Sequence, residues 1–384
     1  MKYTSHVNAI VVLCGLLFSS PSFAEEGSSG ATDNPTAQEA AVTIKPLTAD
    51  EKSILFGTST DVLDKPDCTG NKRASIDCKD KWHYVTSNEP HHHIFRSVIE
   101  DIGGGYVGVG ADQGLTFVAW AKSDIAWLID YDIFVVRVNL IRRALILEAE
   151  SREDYVALWN VKNQKKTEEI IQKAYADHDD LKSILRAFKR YRKKVHKADT
   201  RHLKRSTKYR QNHWLHDAKT YNHIRAMYKA DRIRVMPGDL LKKDSLAGIN
   251  EASRKLNVPI RIVYFSNAEE FWNYPDSFRD SFSNLKMDDQ SVILRTRASF
   301  RRNKETGDET PYGYRKSRWR FIMQGGPQFQ EFLADKKIKR VQHILRKEKC
   351  HIRQVCHIGL SDIQTSKLTE KDIKAGKKRL VRPK

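Results

Sequence analysis

The sequence predicts an α/β fold: a mainly parallel sheet with helices on both faces. Three observations predict it. Residues 106–132, YVGVGADQGLTFVAWAKSDIAWLIDYD, read as strand, glycine turn, helix and second strand. Four more short apolar runs follow, at Ile233–Met236, Ile260–Phe265, Ser291–Thr296 and Trp319–Gln324, the first pair flanking a segment of helical spacing. Several runs end in a small or acidic residue. Strands separated by helical segments argue a parallel sheet, and such sheets bind ligands beyond the carboxyl ends of their strands.

The elements can be justified in order. Residues 1–24 carry Lys2, an apolar stretch from Ala9 to Phe18, and the small-residue site Ser22-Phe23-Ala24. That is the grammar of a cleaved export signal, with cleavage after Ala24 and a periplasmic or secreted destination. Residues 25–42, small and polar, read as a flexible leader. The α/β domain is expected over 43–335, with a basic helical insertion at 152–231 and a basic tail at 336–384. Ile94, Val98 and Ile102 share a helix face, and Gly103-Gly104-Gly105 stops that helix before the first strand. A helix at Leu115–Lys122, a strand at Ile125–Ile129 and a helix from Phe134 to Glu150 come next. After the third strand, a helix is expected over Ser245–Leu256.

Charge speaks to partners. The formal net charge is +20, and Lys182–Arg234 holds 18 Lys or Arg against only Asp199, Asp217 and Asp231. Leu181, Ile184, Leu185, Phe188, Tyr191 and Val195 recur there at helical spacing, so this is a packed helix and not a charged linker. We expect the insertion to lie over the mouth of the cleft. Acidic polymers or an anionic membrane surface are the expected partners of such a face, and the export signal argues against nucleic acid. Beyond the signal, Cys68, Cys78, Cys350 and Cys356 suit two local disulfides in an oxidising compartment. Their spacings lack the tight pairs of a zinc knuckle.

The strand ends collect the candidate site. The first supplies Gly108, Gly110, Asp112 and Gln113; the second Asp130 and Asp132; the third Gly238 and Asp239; the fourth Ser266, Asn267, Glu269 and Glu270. Glycines let a backbone approach a ligand and free a helix N-terminus to donate hydrogen bonds. An acid about twenty residues later, closing the second strand, is placed to accept from ribose hydroxyls. Asp239 could meet an adenine amino group, and Asn267 and Glu269 would face the reacting end of an unidentified small molecule. Structural uses compete: the glycines can serve the turn alone, and the acids can cap the helices that follow. As a cluster, Asp112, Asp130, Asp239 and Glu269 would also suit magnesium or calcium. No metal site is expected of His91-His92-His93, because helix neighbours point about 100° apart.

With that order of motifs on view, the chain resembles the S-adenosylmethionine-dependent methyltransferase superfamily and its Rossmann-like sheet. YVGVGADQG, IAWLIDYD, PGDLL, IVYFSNAEE and SVILRT, with TSNE at Thr86–Glu89, look more closely like an uncharacterised bacterial family described as methyltransferase-like. The resemblance spans roughly Trp82 to Glu331. It implies S-adenosylmethionine as cofactor, with Gly108, Gly110, Asp112, Gln113, Asp130, Gly238, Asp239 and Ser266 around it. Asn267 and Glu269 would be the catalytic candidates. Two departures bear on this. Tyr106 stands where such enzymes carry an acid, and Asp112 stands where they tend to have a third glycine. Two functions are therefore expected: an exported methyltransferase-type protein, or a non-catalytic secreted binder gripping acidic surfaces through its insertion.

Overall fold

The computed structural model describes residues 43–63, 83–89, 91–205, 213–298, 300–302, 309–311, 319–345, 349–352, 355–362 and 364. The expected signal, leader and Cys68–Cys78 pair lie outside them. In chain order the elements are α1 (Ala49–Phe56), α2 (Arg96–Ile99), β1 (Gly105–Val109), α3 (Gln113–Ala121), β2 (Ile125–Asp130) and α4 (Ile133–Glu148). The insertion supplies α5 (Arg152–Leu158), α6 (Gln164–Ala174), α7 (Leu181–Arg205) and α8 (Ala218–Lys229). Then come β3 (Ile233–Pro237), α9 (Asp244–Lys255), β4 (Ile260–Ser266), α10 (Asp276–Ser283), β5 (Val292–Ala298), β6 (Phe300–Arg302) and β7 (Glu309–Pro311). The described chain finishes with β8 (Trp319–Gly325), α11 (Gly326–Ala334), α12 (Val341–Leu345), β9 (Lys349–Ile352) and β10 (Val355–Ile358).

Eight strands form one sheet in the order β3-β2-β1-β4-β5-β8-β10-β9, and β6 pairs with β7 apart from it. The first five run parallel; β8 is antiparallel to β5, β10 is parallel to β8, and β9 is antiparallel to β10. This is the methyltransferase-like α/β architecture that the resemblance implies. The chain builds outward from β1 to β3, then crosses back to set β4 against β1. That reversal is a switch point, and it opens a crevice beyond the strand ends.

Alternation along the strands fills two cores. Tyr106, Leu128, Tyr264, Leu294 and Met323 point into the layer with α3 and α4, while Val107, Ile129, Val263, Ile293 and Ile322 point into the layer with α9, α10 and α11. All six residues of β2 are buried, as expected of a parallel strand covered on both sides. Local sequence sets the helix starts. Thr48 and Glu51 form a capping box on α1, Asp132 caps α4 at the Phe134 amide, Ser151 caps α5, and Asp217 caps α8.

The insertion belongs to the α4 layer. Ile184, Phe188 and Val195 of α7 are fully buried against that core, each worth about 1.5–3 kcal/mol of burial. Its outer face leaves Lys182, Arg186, Lys193 and Lys197 exposed. The insertion also reaches the rim of the sheet, where Lys194 donates to the His83 carbonyl at 2.9 Å and Tyr191 meets Phe134 edge-on.

At the other end the sheet continues past residue 335, into the segment expected to be a tail. The physical reason is the bare edge of β8, whose Phe321–Gln324 backbone pairs with Val355–Ile358. Register in the β9–β10 pair sets Cys350 opposite Cys356. Among the described residues no helix is long and apolar enough to cross a membrane.

Candidate ligand site at the strand ends

The glycine turn after β1 is built around a tyrosine. Tyr106 and Gly108 project to the same side of β1, and a Cβ on Gly108 would overlap the Tyr106 hydroxyl. A Cβ on Gly114 would stand 3.0 Å from the same oxygen. Both glycines thus make room for a buried phenol, set where the resemblance implies an acid. Burial pushes its ionisation far up, and its hydroxyl has no hydrogen-bond partner among the described residues. Gly110 has the positive φ, 99°, that a side chain would resist. Gln113 lies over it, 2.7 Å from where a Cβ would be, and the Asn139 amide donates to the Gly110 carbonyl at 3.1 Å.

Asp130 ends β2 as expected and closes on this turn. One oxygen accepts from the Gly110 amide at 2.8 Å and the other from the Asp132 amide at 2.8 Å. Burial, then the neighbouring charges of Asp132 and Asp239, push its carboxyl up to about 7. Beside it Tyr131 is 52 % exposed and Tyr84 is 54 % exposed. Partial burial and then Asp130, Asp132 and Asp239 push the Tyr131 hydroxyl up to about 12. Gly238 lacks a Cβ that would meet the Ser245 hydroxyl at 3.0 Å and Ile129 at 3.3 Å. Asp239 is half-buried; its side chain accepts from the Leu241 amide at 2.9 Å, and its own amide donates to Asp61 at 2.9 Å. Asp61 also receives the amides of Asp244 and Ser245, so a residue from the N-terminal segment caps α9.

A folded Asp130 that holds its proton up to about pH 7 makes a definite contribution to stability. It is complete below the ordinary value near 4 and lost as pH rises through 7. Asp239→Asn keeps the Leu241 contact and removes one repelling charge. We expect it to raise stability near neutral pH by about half a kcal/mol relative to the gain near pH 4, read by urea denaturation at both pH values.

The switch-point crevice itself is crossed by residues 83–89. Glu89, buried, accepts from the hydroxyls of Tyr264, Ser266 and Thr296, the last at 2.7 Å, and contacts His92 at 3.3 Å. Burial alone would raise its carboxyl, but His92, Ser266 and Tyr264 outweigh that and hold it low. Ser266 is thereby tied down. The Ser87 amide reaches Asp112 at 3.4 Å.

Asp112 faces inward. It lies 2.8 Å from His213 and 3.7 Å from Arg142, both from the α4 and insertion layer. Burial would raise this carboxyl, yet Arg142 and His213 hold it well below the usual range. Asn267 and Glu269 line one shallow recess, with Arg295, Thr296 and Val341. Asn267 is half-buried and makes no side-chain cap. Glu269 is 2 % exposed and committed, to Arg295 at 2.6 Å and to the Tyr274 hydroxyl at 2.6 Å.

The structure thus gathers Gly110, Asp130 and Asp239 at the outer strand ends, turns Asp112 away from them, and engages Ser266 and Glu269 in internal networks. Glu89, Arg142, His202, His213 and Arg295 were not singled out by sequence reasoning. Of these only Glu89 had a signal, as the acid of TSNE.

Among curated proteins nothing matches the chain. Two solved structures of the rRNA methyltransferase aviRa from Streptomyces viridochromogenes are similar, at 10 % and 11 % identity. Each match covers 67 % of this chain and 93 % of that one with a TM-score of 0.30, too slight to bear on function. The model of one family, described as a domain of unknown function (DUF7790), matches residues 84–364, most of the chain, and the chain belongs to that family.

Proposed function

We propose that this chain uses its methyltransferase-like fold to hold a nucleoside at the ends of β2 and β3, without a seat for the amino-acid end of S-adenosylmethionine. The observation that carries this reading is Asp130, oriented by two backbone amides and flanked by Asp239 and the exposed rings of Tyr84 and Tyr131. Beyond the two acceptor positions used by the amides, the Asp130 carboxyl, part-protonated near pH 7, keeps a further acceptor position and an O–H, both of use to ribose hydroxyls. The tyrosine rings offer faces on which a base can stack. Asp239 would accept from an exocyclic amino group of the base.

S-adenosylmethionine itself fits only in part. The Tyr106 phenol stands in place of the expected acid, Asp112 is paired internally, and residues 83–89 cross the switch point. The methionine end would meet these groups, so no methyl-transfer step is assigned to Asn267 or Glu269. The export signal expected of residues 1–24 would agree with this choice, because the cofactor is made and kept in the cytoplasm.

Isothermal titration of residues 25–384 with adenosine, S-adenosylhomocysteine and S-adenosylmethionine tests the proposal. Adenosine and S-adenosylhomocysteine should bind within about threefold of one another, and Asp130→Ala should weaken both at least about tenfold, or about 1.4 kcal/mol. No heat from any of the three rejects the proposal. So does an affinity for the homocysteine-bearing ligand about a hundredfold above that for adenosine.

A further inference from the structure

Where α7 and the segment before α8 meet the glycine turn, three metal-ligating side chains converge. We propose that Asp112, His202 and His213 bind a divalent transition metal, zinc by ligand type, which staples the insertion to the glycine turn. One donor atom from each residue lies within 4.8 Å of the others. Two imidazoles and a carboxylate are the ligands of a borderline cation such as zinc, and three protein ligands leave a fourth position for water. This site stands apart from the nucleoside reading, which uses none of the three.

Its geometry is unusual for a plain hydrogen-bonded core. The rings of His202 and His213 lie 3.8 Å apart and 6° from parallel. Stacking of two imidazoles contributes little by itself, yet it brings both donor edges toward Asp112. The two carboxylate oxygens of Asp112 divide the work. Oδ1 faces Arg142 and the Ser87 amide, while Oδ2 faces His213 and is free of other partners among the described residues.

A second observation points to a missing ligand. Asp199, one helical turn before His202 on α7, is fully buried, and its Oδ1 has no hydrogen-bond partner among the described residues, although Oδ2 accepts from the Tyr155 hydroxyl at 3.1 Å. A carboxyl oxygen is rarely left so, and a nearby cation or its bound water would satisfy it. His216 is a further donor close at hand, its ring 6.1 Å from that of His213 and 6.3 Å from that of His202.

Metal entry has one cost. The Leu215 amide donates to Nδ1 of His213 at 3.3 Å, which leaves the ring proton on Nε2, facing Asp112. Binding through Nε2 moves that proton to Nδ1 and gives up the long Leu215 contact. The tautomer change is itself a signature in nitrogen-15 spectra.

The test uses the whole protein, stripped with EDTA and titrated with zinc chloride, read by plasma mass spectrometry and thermal melting. The expected result is one zinc per chain with a melting temperature raised by about 5 °C or more. His202→Ala and Asp112→Asn should each lower the bound metal below about a fifth of an equivalent. A His91→Ala, His93→Ala double variant keeps these half-buried histidines from being mistaken for the site, and should bind as wild type. His202→Gln, of similar size, checks that loss of metal is not loss of folding. Less than about a tenth of an equivalent in the wild type overturns the proposal. Equal binding by His202→Ala, or binding lost in the His91→Ala, His93→Ala double variant, overturns it as well.

Discussion

Replacing Arg295 by leucine should destabilise the fold by about 3–5 kcal/mol, the cost of stranding a buried carboxylate. Arg295 and Glu269 are each 2 % exposed at the side chain and meet at 2.6 Å between β5 and the segment after β4. The guanidinium also donates to Gln324 on β8 at 2.6 Å, so three consecutive regions of the sheet meet at one cation. Losing the arginine leaves Glu269, among the described residues, with only the Tyr274 hydroxyl. Removing both charges, as Glu269→Leu with Arg295→Leu, should recover most of the loss, since an apolar pair pays neither desolvation penalty. Urea denaturation of wild type, single and double variants closes the cycle. A single variant that loses less than about 1 kcal/mol would show that water reaches the pair, and would return Glu269 to the list of groups able to act on a ligand.

That pair shows where sequence reading stops. The strands were legible because a parallel sheet buried on both faces writes them as short apolar runs, and β2 is buried at every position. The insertion was legible because α7 keeps its apolar residues on one stripe despite its charge. Asp130 was legible from its distance behind the turn, and it does meet Gly110 across 20 residues. Contacts between distant segments were not. Ser266 reaches Glu89 across 177 positions, and His213 reaches Asp112 across 101. Nothing in local periodicity carries such pairings, which exist only once the sheet order is known. Tyr106 is an intermediate case. Its departure from the expected acid was visible, and residues two apart on a strand share a face, so its claim on the space at Gly108 followed from β geometry alone.

Asp112→Gly puts back the glycine that the resemblance implies, and the two readings of the turn predict opposite outcomes. On a cofactor-binding reading the substitution is mild, because glycine is the residue that lets a ligand approach. On the observed geometry it removes the carboxylate beside Arg142, whose side chain is 1 % exposed and whose Nε already lacks a hydrogen-bond partner among the described residues. Arg142 would keep the Asn139 oxygen at 3.4 Å, the Val85 carbonyl at 3.2 Å and the nearby Tyr155 and Asp199 side chains, none of which replaces the ionised carboxylate it loses. Arginine cannot shed its proton to escape, so the charge stays buried. We expect a loss of about 3–5 kcal/mol, measured in urea with EDTA present so that metal plays no part. Hydrogen exchange should quicken first in α7 and in the segment before α8, because His213 loses its anchor and Trp214, bonded to Thr116 on α3 at 3.2 Å, follows it. A companion Arg142→Met in the glycine background should restore stability, since it removes the stranded charge while filling much the same space. If Asp112→Gly is as stable as wild type and exchange in α7 is unchanged, the inward pairing of Asp112 does not hold the insertion in place.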